Sequence, residues 1–139
     1  MGEVKVKILL QNDGDIFAAN AGYIKKEEIR EITTEGLVDS GAVMLIIPQD
    51  LVEKLGLENT RRVVVTYADD RKEERPVAGR VRISITDRFM ITECIVGPPL
   101  SEILIGQIIL KELDLLVDCV NQKLTPRPES PYLPLLKAK

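Results

Sequence analysis

The tetrad Asp39-Ser40-Gly41-Ala42 restricts the fold of this chain more than any other feature, because apolar segments flank it on both sides. Leu37-Val38 precedes the tetrad and is typical of the end of a buried strand, while the run from Val43 to Pro48 follows it. Turn-forming residues between two core segments place an ionisable carboxylate beside the protein interior. An ordinary surface turn has no need of such a position. The tetrad therefore predicts two buried segments that meet at Asp39, and it makes Asp39 a candidate functional residue.

Alternating segments predict strands along most of the chain. Val4 to Leu10 and Val81 to Thr86 place apolar side chains at every second residue, which is the period of a half-buried strand. A turn is predicted at residues 12–15, and further strands over residues 16–19, 32–38, 62–67, 72–77, 89–96, 103–106 and 115–120. One helical turn is predicted over residues 25–30, and short helices over residues 49–55, ending at Gly56, and 108–113. The predicted fold class is all-β, a small closed or nearly closed barrel with one or two short helices.

Length and charge limit the function classes. The chain has 139 residues, which suits one domain, and we place that domain at residues 1–125, followed by a proline-rich extended tail over residues 126–139. The net charge is −3 and the basic residues form no stripe, so no nucleic-acid partner is expected. The chain opens with no charged-then-apolar leader and has no apolar run near the length of about eighteen residues that a membrane span needs. We therefore expect a soluble, cytoplasmic protein without a membrane partner.

The absence of histidine from the sequence excludes several kinds of active site. Ser–His and Cys–His catalysis both need an imidazole, and so does histidine-ligated zinc. Cys94 and Cys119 lack the spacing of a metal site, and we expect both to be reduced thiols that pack as small core residues. Asp114 and Asp118 are spaced like a metal pair, but at strand period we expect them to be solvated. No metal and no cofactor is predicted.

The tetrad and its approach, Leu37 to Ala42, resemble the active-site signature of retropepsin-like aspartic proteases, which is two apolar residues, Asp, Ser or Thr, Gly and Ala. The apolar segment Ile103 to Gly106, followed by a helical pattern, is similar to the second landmark of that family. Between the two landmarks, residues 65–77 lie where the family has its flap hairpin, and residues 96–99 resemble its substrate-wall loop. The likeness extends from about Val4 to Pro126 and looks closest to bacterial single-domain predicted aspartyl proteases.

The resemblance implies a catalytic pair of carboxylates. One carboxylate cannot act as general base and general acid on a peptide bond at the same moment, whereas two that share a proton can, because like charges at about 3 Å cannot both ionise. This chain carries one Asp in a suitable frame, so the second Asp39 must come from an identical chain across a two-fold axis. Ser40 would then hydrogen-bond across the dimer, Gly41 would donate its N–H to the carboxylate, and Ala42 would leave room for substrate.

The resemblance also implies how an extended peptide or protein substrate would be held. The substrate would bind largely through backbone hydrogen bonds, as an added strand, with the flap closing over it. The residues implied in substrate binding belong to the flap and the wall: Tyr67, Ala68, Asp69 and Asp70, and Pro98, Pro99 and Leu100.

The sequence departs from the family pattern at two places. Many members carry Asp or Asn two residues after the second-landmark glycine, bonding toward the active-site loop, but this chain has Ile108 there. Support for the loop must therefore come from elsewhere, or the loop is held less firmly. The flap turn lacks the glycines of viral members, which predicts a stiffer or more open flap.

Two other interpretations are open at this point. The chain could be a non-catalytic dimer of the same fold that binds extended peptides, or a small β-barrel scaffold in which Asp39 accepts hydrogen bonds in a tight turn. An intact Asp39-Ser40-Gly41 favours the enzyme over the first alternative, because a protein that no longer catalyses a reaction can lose these residues. Oligomeric state separates the enzyme from the second, because a strict monomer cannot assemble the catalytic pair.

Overall fold

Seven strands form one sheet that closes on itself in this computed structural model, which describes residues 3–138. The sheet contains β1 (Lys5–Asn12), β2 (Glu31–Val38), β3 (Leu45–Pro48), β4 (Glu58–Thr66), β5 (Lys72–Ile85), β6 (Arg88–Gly97) and β7 (Leu104–Ile105). The strand order is β1-β2-β7-β3-β6-β5-β4, and β1 also pairs with β5. Six strands therefore form a ring, and the predicted all-β barrel is confirmed.

The strand β4 lies outside the ring and pairs with the first half of β5 in an antiparallel hairpin, in which Thr66 faces Lys72. A second, two-stranded sheet contains β8 (Leu115–Asp118) and β9 (Lys123–Pro126). The helices are α1 (Asp13–Asn20), α2 (Gln49–Leu55) and α3 (Gln107–Leu113), with a short 3-10 helix at Lys26–Glu28. No helix among residues 3–138 has the length and apolar character needed to cross a membrane.

The barrel interior is filled by aliphatic side chains at alternate strand positions. The buried aliphatic residues of β1 are Ile8 and Leu10, and those of the second half of β5 are Val81, Ile83 and Ile85, as the period of two predicts. The helices α2 and α3 add apolar side chains to the same core, and α2 ends at Gly56, which takes the predicted left-handed conformation with φ of 66°. The alternation of the sequence therefore identified the core of these strands correctly.

The segment after β1 is a helix, not the predicted turn and return strand over residues 12–19. Asn12 caps α1 by accepting a hydrogen bond from the N–H of Asp15 at 3.0 Å, and its own amide donates to the carbonyl of Leu55 at 2.8 Å. Asp13 and Asp15 lie in the first turn, where carboxylates interact favourably with the helix dipole. The capping pattern of an Asn followed by acidic residues is the signal that the strand prediction overlooked.

Strand boundaries differ from the prediction at two further places. Residues 72–85 form one long strand with an irregularity between Ala78 and Val81, where two strands were predicted. The predicted last strand over residues 115–120 ends at Asp118, whose side chain accepts hydrogen bonds from the N–H groups of Val120 and Asn121 and so turns the chain into β9. The bend at 118–121 thus adds a strand that the sequence prediction did not contain.

The segment after β9 has no further strand or helix up to residue 138, but a buried polar network fixes it to the barrel. Asp114 is only 5% exposed and accepts hydrogen bonds from Arg127, from the hydroxyl of Ser130 and from the N–H of Leu135. The prediction of a solvated Asp114 is therefore wrong. The left-handed conformation of Asp114 ends α3 and directs its side chain to partners beyond β9, which strand periodicity could not show.

Acidic pH should lower the free energy of unfolding more in the wild type, where Asp114 fixes the segment after β9, than in an Asp114→Asn variant. Arg127, followed by Ser130 and Leu135, stabilises the ionised form of Asp114 and holds its pKa well below the ordinary value of 3.8. A lowered pKa in the folded state adds stability that is present above pH 3.8 and is lost as the pH falls through the folded pKa. We expect Asp114→Asn to be less stable than wild type at pH 7 and the difference to shrink below about pH 4.

Urea unfolding between pH 7 and pH 2 measures this difference directly. Other carboxylates also titrate over this range, so the comparison rests on the gap between the two proteins and not on either curve alone. A gap in the free energy of unfolding that stays constant down to pH 2 would contradict the assigned role of Asp114.

Candidate active site

The tetrad begins where β2 leaves the barrel wall beside β7. These strands run parallel, with Leu37 opposite Leu104 and Val38 opposite Ile105. The N–H of Asp39 donates to the carbonyl of Ile105 at 3.0 Å, so the catalytic candidate continues the strand pairing by one residue. The backbone of Asp39 is therefore fixed by the same apolar segment that the sequence identified as the second landmark.

The carboxylate of Asp39 is held by the loop that follows it. The N–H of Gly41 donates to Oδ1 of Asp39 at 3.0 Å, and the N–H of Ala42 donates to the carbonyl of Asp39 at 3.1 Å. Asp39 and Ala42 are half-buried, whereas Ser40 and Gly41 are exposed. One carboxylate oxygen is thus oriented by a backbone donor on a loop that faces the outside of the subunit.

The loop that contains the tetrad packs closely against the start of α3. The N–H of Gln107 donates to the carbonyl of Ala42 at 2.9 Å, and the N–H of Ile108 donates to the carbonyl of Val43 at 3.0 Å. A Cβ atom on Gly106 would lie 2.5 Å from the carbonyl oxygen of Met44. Only glycine permits this approach, so the structure explains why an apolar pair followed by glycine accompanies the tetrad.

A side chain that the sequence analysis missed supports the loop. Nε2 of Gln107 donates to the carbonyl of Ser40 at 2.6 Å. Ile108 supplies no polar side chain and is 42% exposed, so the support expected from its position comes from the residue before it. The only sequence signal for this role was that Gln107 directly follows Gly106.

Hydrogen bonds and a stacked side chain close the turn of the β4–β5 hairpin without glycine. The N–H of Tyr67 donates to the carbonyl of Arg71 at 2.8 Å, and the guanidinium of Arg71 lies 4.5 Å from the centre of the Tyr67 ring. Asp70 takes the left-handed conformation with φ of 63°, which Asp tolerates better than most residues. Asp69 accepts a hydrogen bond from the N–H of Arg71 at 3.1 Å, and Ala68, Asp69 and Asp70 are all exposed.

A cavity of about 280 Å³ joins this hairpin to the loop after β6. Its walls include Tyr67 from the predicted flap, Pro98 from the predicted wall, and Leu104, which pairs with a residue two positions before Asp39. The other apolar lining residues are Ile46, Val65, Ile95 and Val96. The structure therefore brings Tyr67 and Pro98, one residue of each predicted substrate segment, into a common apolar space with Leu104 of the strand that pairs with β2.

The remaining predicted substrate residues do not line this cavity. Ala68, Asp69 and Asp70 form the exposed tip of the hairpin, and Pro99 and Leu100 lie in an exposed turn after β6. The N–H of Leu100 donates to the side chain of Asp50 at 2.8 Å, which ties this turn to α2. These residues could reach a substrate only where it extends beyond the cavity.

A larger cavity, about 740 Å³, lies next to α1 and has a different character. Four of the charged residues that line it form ion pairs: Asp15 binds Arg30 through both carboxylate oxygens, at 2.8 and 3.0 Å, and Asp13 pairs with Arg80 at 3.1 Å. The hydrogen bond from Arg30 lowers the pKa of Asp15. We assign these ion pairs to the anchoring of α1, because their donors and acceptors satisfy one another.

The two cysteines differ in their surroundings. Cys94 is buried in β6, and burial raises the pKa of its thiol to about 12, so it stays protonated and unreactive. Cys119 is free but exposed, so the expectation that both cysteines pack in the core is wrong for Cys119. Within residues 3–138, acidic and cysteine side chains form no group of three or more that could hold a metal ion.

Comparison with known proteins agrees with this arrangement. A family model described as aspartyl protease matches residues 27–108. The match begins before β2 and ends in the first turn of α3, so it contains the tetrad, the β4–β5 hairpin, the cavity and the second landmark. No curated protein matches the chain.

Proposed function

This chain belongs to the aspartyl protease family, and from that premise we propose that it is a homodimeric endopeptidase whose catalytic pair is Asp39 from each of two subunits. The observation that carries the proposal is the setting of Asp39. Its carboxylate accepts a hydrogen bond from the N–H of Gly41, its backbone is fixed to β7, and Leu104 of β7 lines an apolar cavity. We assign this function to residues 1–125 and treat residues 126–139 as an appended tail.

The proposed reaction needs two carboxylates that share one proton. The ionised carboxylate takes a proton from a water molecule, whose oxygen attacks the carbonyl carbon of the scissile peptide bond. The protonated carboxyl donates to the carbonyl oxygen as it gains negative charge. When the tetrahedral intermediate breaks down, a proton passes to the leaving nitrogen and the pair is restored. One Asp39 cannot fill both roles, so the partner chain is required.

Other parts of the site have supporting roles in this proposal. Ser40 is exposed, so its hydroxyl can hydrogen-bond to the partner subunit across the two-fold axis. The small side chain of Ala42 leaves room for the substrate. The β4–β5 hairpin closes over an extended peptide and excludes water. The apolar cavity beneath Tyr67 and Pro98 accepts an apolar side chain of that peptide.

Two exposed apolar residues beside the tetrad favour dimerisation through this face. Val43 is 64% exposed, Ile108 is 42% exposed, and a backbone hydrogen bond joins them. If two copies of Asp39 meet across a two-fold axis, their immediate neighbours face the partner as well. Ile108, at whose position many members carry a polar residue, would then form an apolar contact across the dimer interface together with Val43.

A Val43→Asp substitution is expected to weaken dimerisation by at least about a hundredfold, because each dimer would bury two unpaired charges at its centre. Val64→Asp is the matched control, since Val64 is an equally exposed valine (65%) on the outer strand β4. Sedimentation velocity over a range of protein concentrations gives the dissociation constant of each variant. Equal dimerisation by the two variants would show that Val43 does not lie at the interface.

The proposed function is tested by cleavage of a peptide library or a loosely structured protein between about pH 3.5 and 7, with cleavage sites identified by mass spectrometry. Wild type is expected to cut internal peptide bonds, and Asp39→Asn is expected not to. Cleavage by both proteins, or by neither at a concentration where the wild type is dimeric, would overturn the proposal. Binding of peptides without cleavage would indicate a peptide-binding module of the same fold.

A further inference from the structure

Gln107 and Asp39 contact opposite ends of the same peptide group. The side chain of Gln107 donates to the carbonyl oxygen of Ser40 at 2.6 Å. The N–H of Gly41, which belongs to that same Ser40–Gly41 peptide group, donates to Oδ1 of Asp39 at 3.0 Å. The planar Ser40–Gly41 peptide group therefore lies between the side chain of Gln107 and the carboxylate of Asp39.

The planarity of the peptide group makes these two hydrogen bonds interdependent. In a trans peptide the C=O and N–H bonds point in opposite directions in one plane, so a donor that fixes the carbonyl also fixes the direction of the N–H. Polarisation of the carbonyl by Gln107 also strengthens the N–H as a donor. Ser40 and Gly41 are exposed, and neither lies in a strand or helix that would fix this plane by itself.

We propose that Gln107 is a positioning residue that orients the carboxylate of Asp39 through the Ser40–Gly41 peptide group. This inference rests on the proposed function and extends it to a residue that does not touch the reacting atoms. Without the side chain of Gln107, the peptide group can rotate about its flanking bonds, and the carboxylate loses its aligned donor. The two backbone hydrogen bonds from α3 to Ala42 and Val43 remain, so the loop stays attached.

Substitution of Gln107 by Met removes the donor at similar side-chain length. We expect kcat to fall about tenfold with a smaller change in KM, because the hydrogen bond is exposed to water and its loss misaligns the carboxylate without removing it. Gln49→Met is the matched control, because Gln49 also begins a seven-residue helix and its side-chain amide donates to Glu53 of that same helix, at 2.9 Å. That control is expected to keep the wild-type kcat.

The Gln107→Glu substitution distinguishes a role of this side chain in positioning Asp39 from a role in packing α3 against the loop. A protonated carboxyl donates to the carbonyl of Ser40, whereas an ionised one repels it. The kcat of Gln107→Glu relative to wild type should therefore fall as the pH rises through about 4 to 5. Two nearby charges act in opposite directions on this transition: Lys111, one turn along α3, favours the ionised form and Asp39 opposes it. A ratio that does not vary with pH would overturn the proposal.

Amide hydrogen exchange at Gly41 provides a readout that does not depend on activity. The N–H of Gly41 is protected by Asp39 in the wild type, and we expect faster exchange in Gln107→Met but not in Gln49→Met. If the wild type proves to be no protease, faster exchange at Gly41 still supports the positioning role, so the two proposals fail separately. Unchanged exchange at Gly41 in Gln107→Met would overturn the inference, whatever the activity of the wild type.

Discussion

The Asp39→Asn variant is expected to lose at least about a thousandfold in kcat/KM while it folds and dimerises like the wild type. Asn keeps the shape of the side chain, and its Oδ1 still accepts the N–H of Gly41, so the loop is preserved. It cannot take a proton from water, and the catalytic pair has no general base when both copies are replaced. A thousandfold loss corresponds to about 4 kcal/mol of transition-state stabilisation.

Asp118→Asn is the matched control for this substitution. Asp118 accepts a hydrogen bond from the N–H two residues ahead at 3.1 Å, which is the same local geometry that Asp39 makes with Gly41, but it lies at the end of β8. We expect this control to retain full activity. A comparable loss in both variants would attribute the effect to turn geometry and would contradict a catalytic role for Asp39.

Mixing wild type with Asp39→Asn tests whether the pair spans two subunits. If both copies of Asp39 are needed and subunits exchange at random, an equimolar mixture has about one quarter of the activity of the same total amount of wild type. A site contained in one subunit would give about one half. The second result would leave Asp39 catalytic but would remove the argument for an obligatory dimer.

The barrel strands and the position of Asp39 were predictable because the sequence patterns that indicate them are local. Strict alternation of apolar residues in β1 and in the second half of β5 identified the core, and the tetrad fixed the position of Asp39. Gly106 was identified through the resemblance, and the close approach of Met44 and Ala42 supplies the physical reason for it. These features depend on a few adjacent residues, so the sequence displays them directly.

The features that the sequence did not reveal depend on contacts between distant segments. The carbonyl of Ser40 accepts a hydrogen bond from Gln107, sixty-seven positions away. A glutamine after a glycine has no periodic or compositional signature, and its meaning arises only when the barrel brings α3 against the tetrad. The same holds for Asp114, whose spacing in the sequence matched a solvated strand position although its partners lie beyond β9.

The Arg88→Met variant is expected to lower the free energy of unfolding by about 3 kcal/mol or more, because its loss leaves several buried acceptors without a donor. Arg88 is only 4% exposed, and its guanidinium donates to the carbonyls of Leu113 at 2.7 Å, Asp114 at 3.0 Å and Ser130. These carbonyls belong to the end of α3 and to the tail. A single cation therefore ties both segments to the start of β6.

Arg62→Met is the control for this loss of stability. The side chain of Arg62 is 57% exposed and pairs with Glu74 on the surface of the β4–β5 hairpin, so its replacement should cost less than about 1 kcal/mol. Urea unfolding of both variants at neutral pH measures the difference. Because the start of α3 supports the loop that contains the tetrad and its end is held by Arg88, the less stable variant should also show faster amide exchange across residues 107–113. A stability loss no larger than that of Arg62→Met would mean that solvent satisfies these carbonyls and that Arg88 does not stabilise the end of α3.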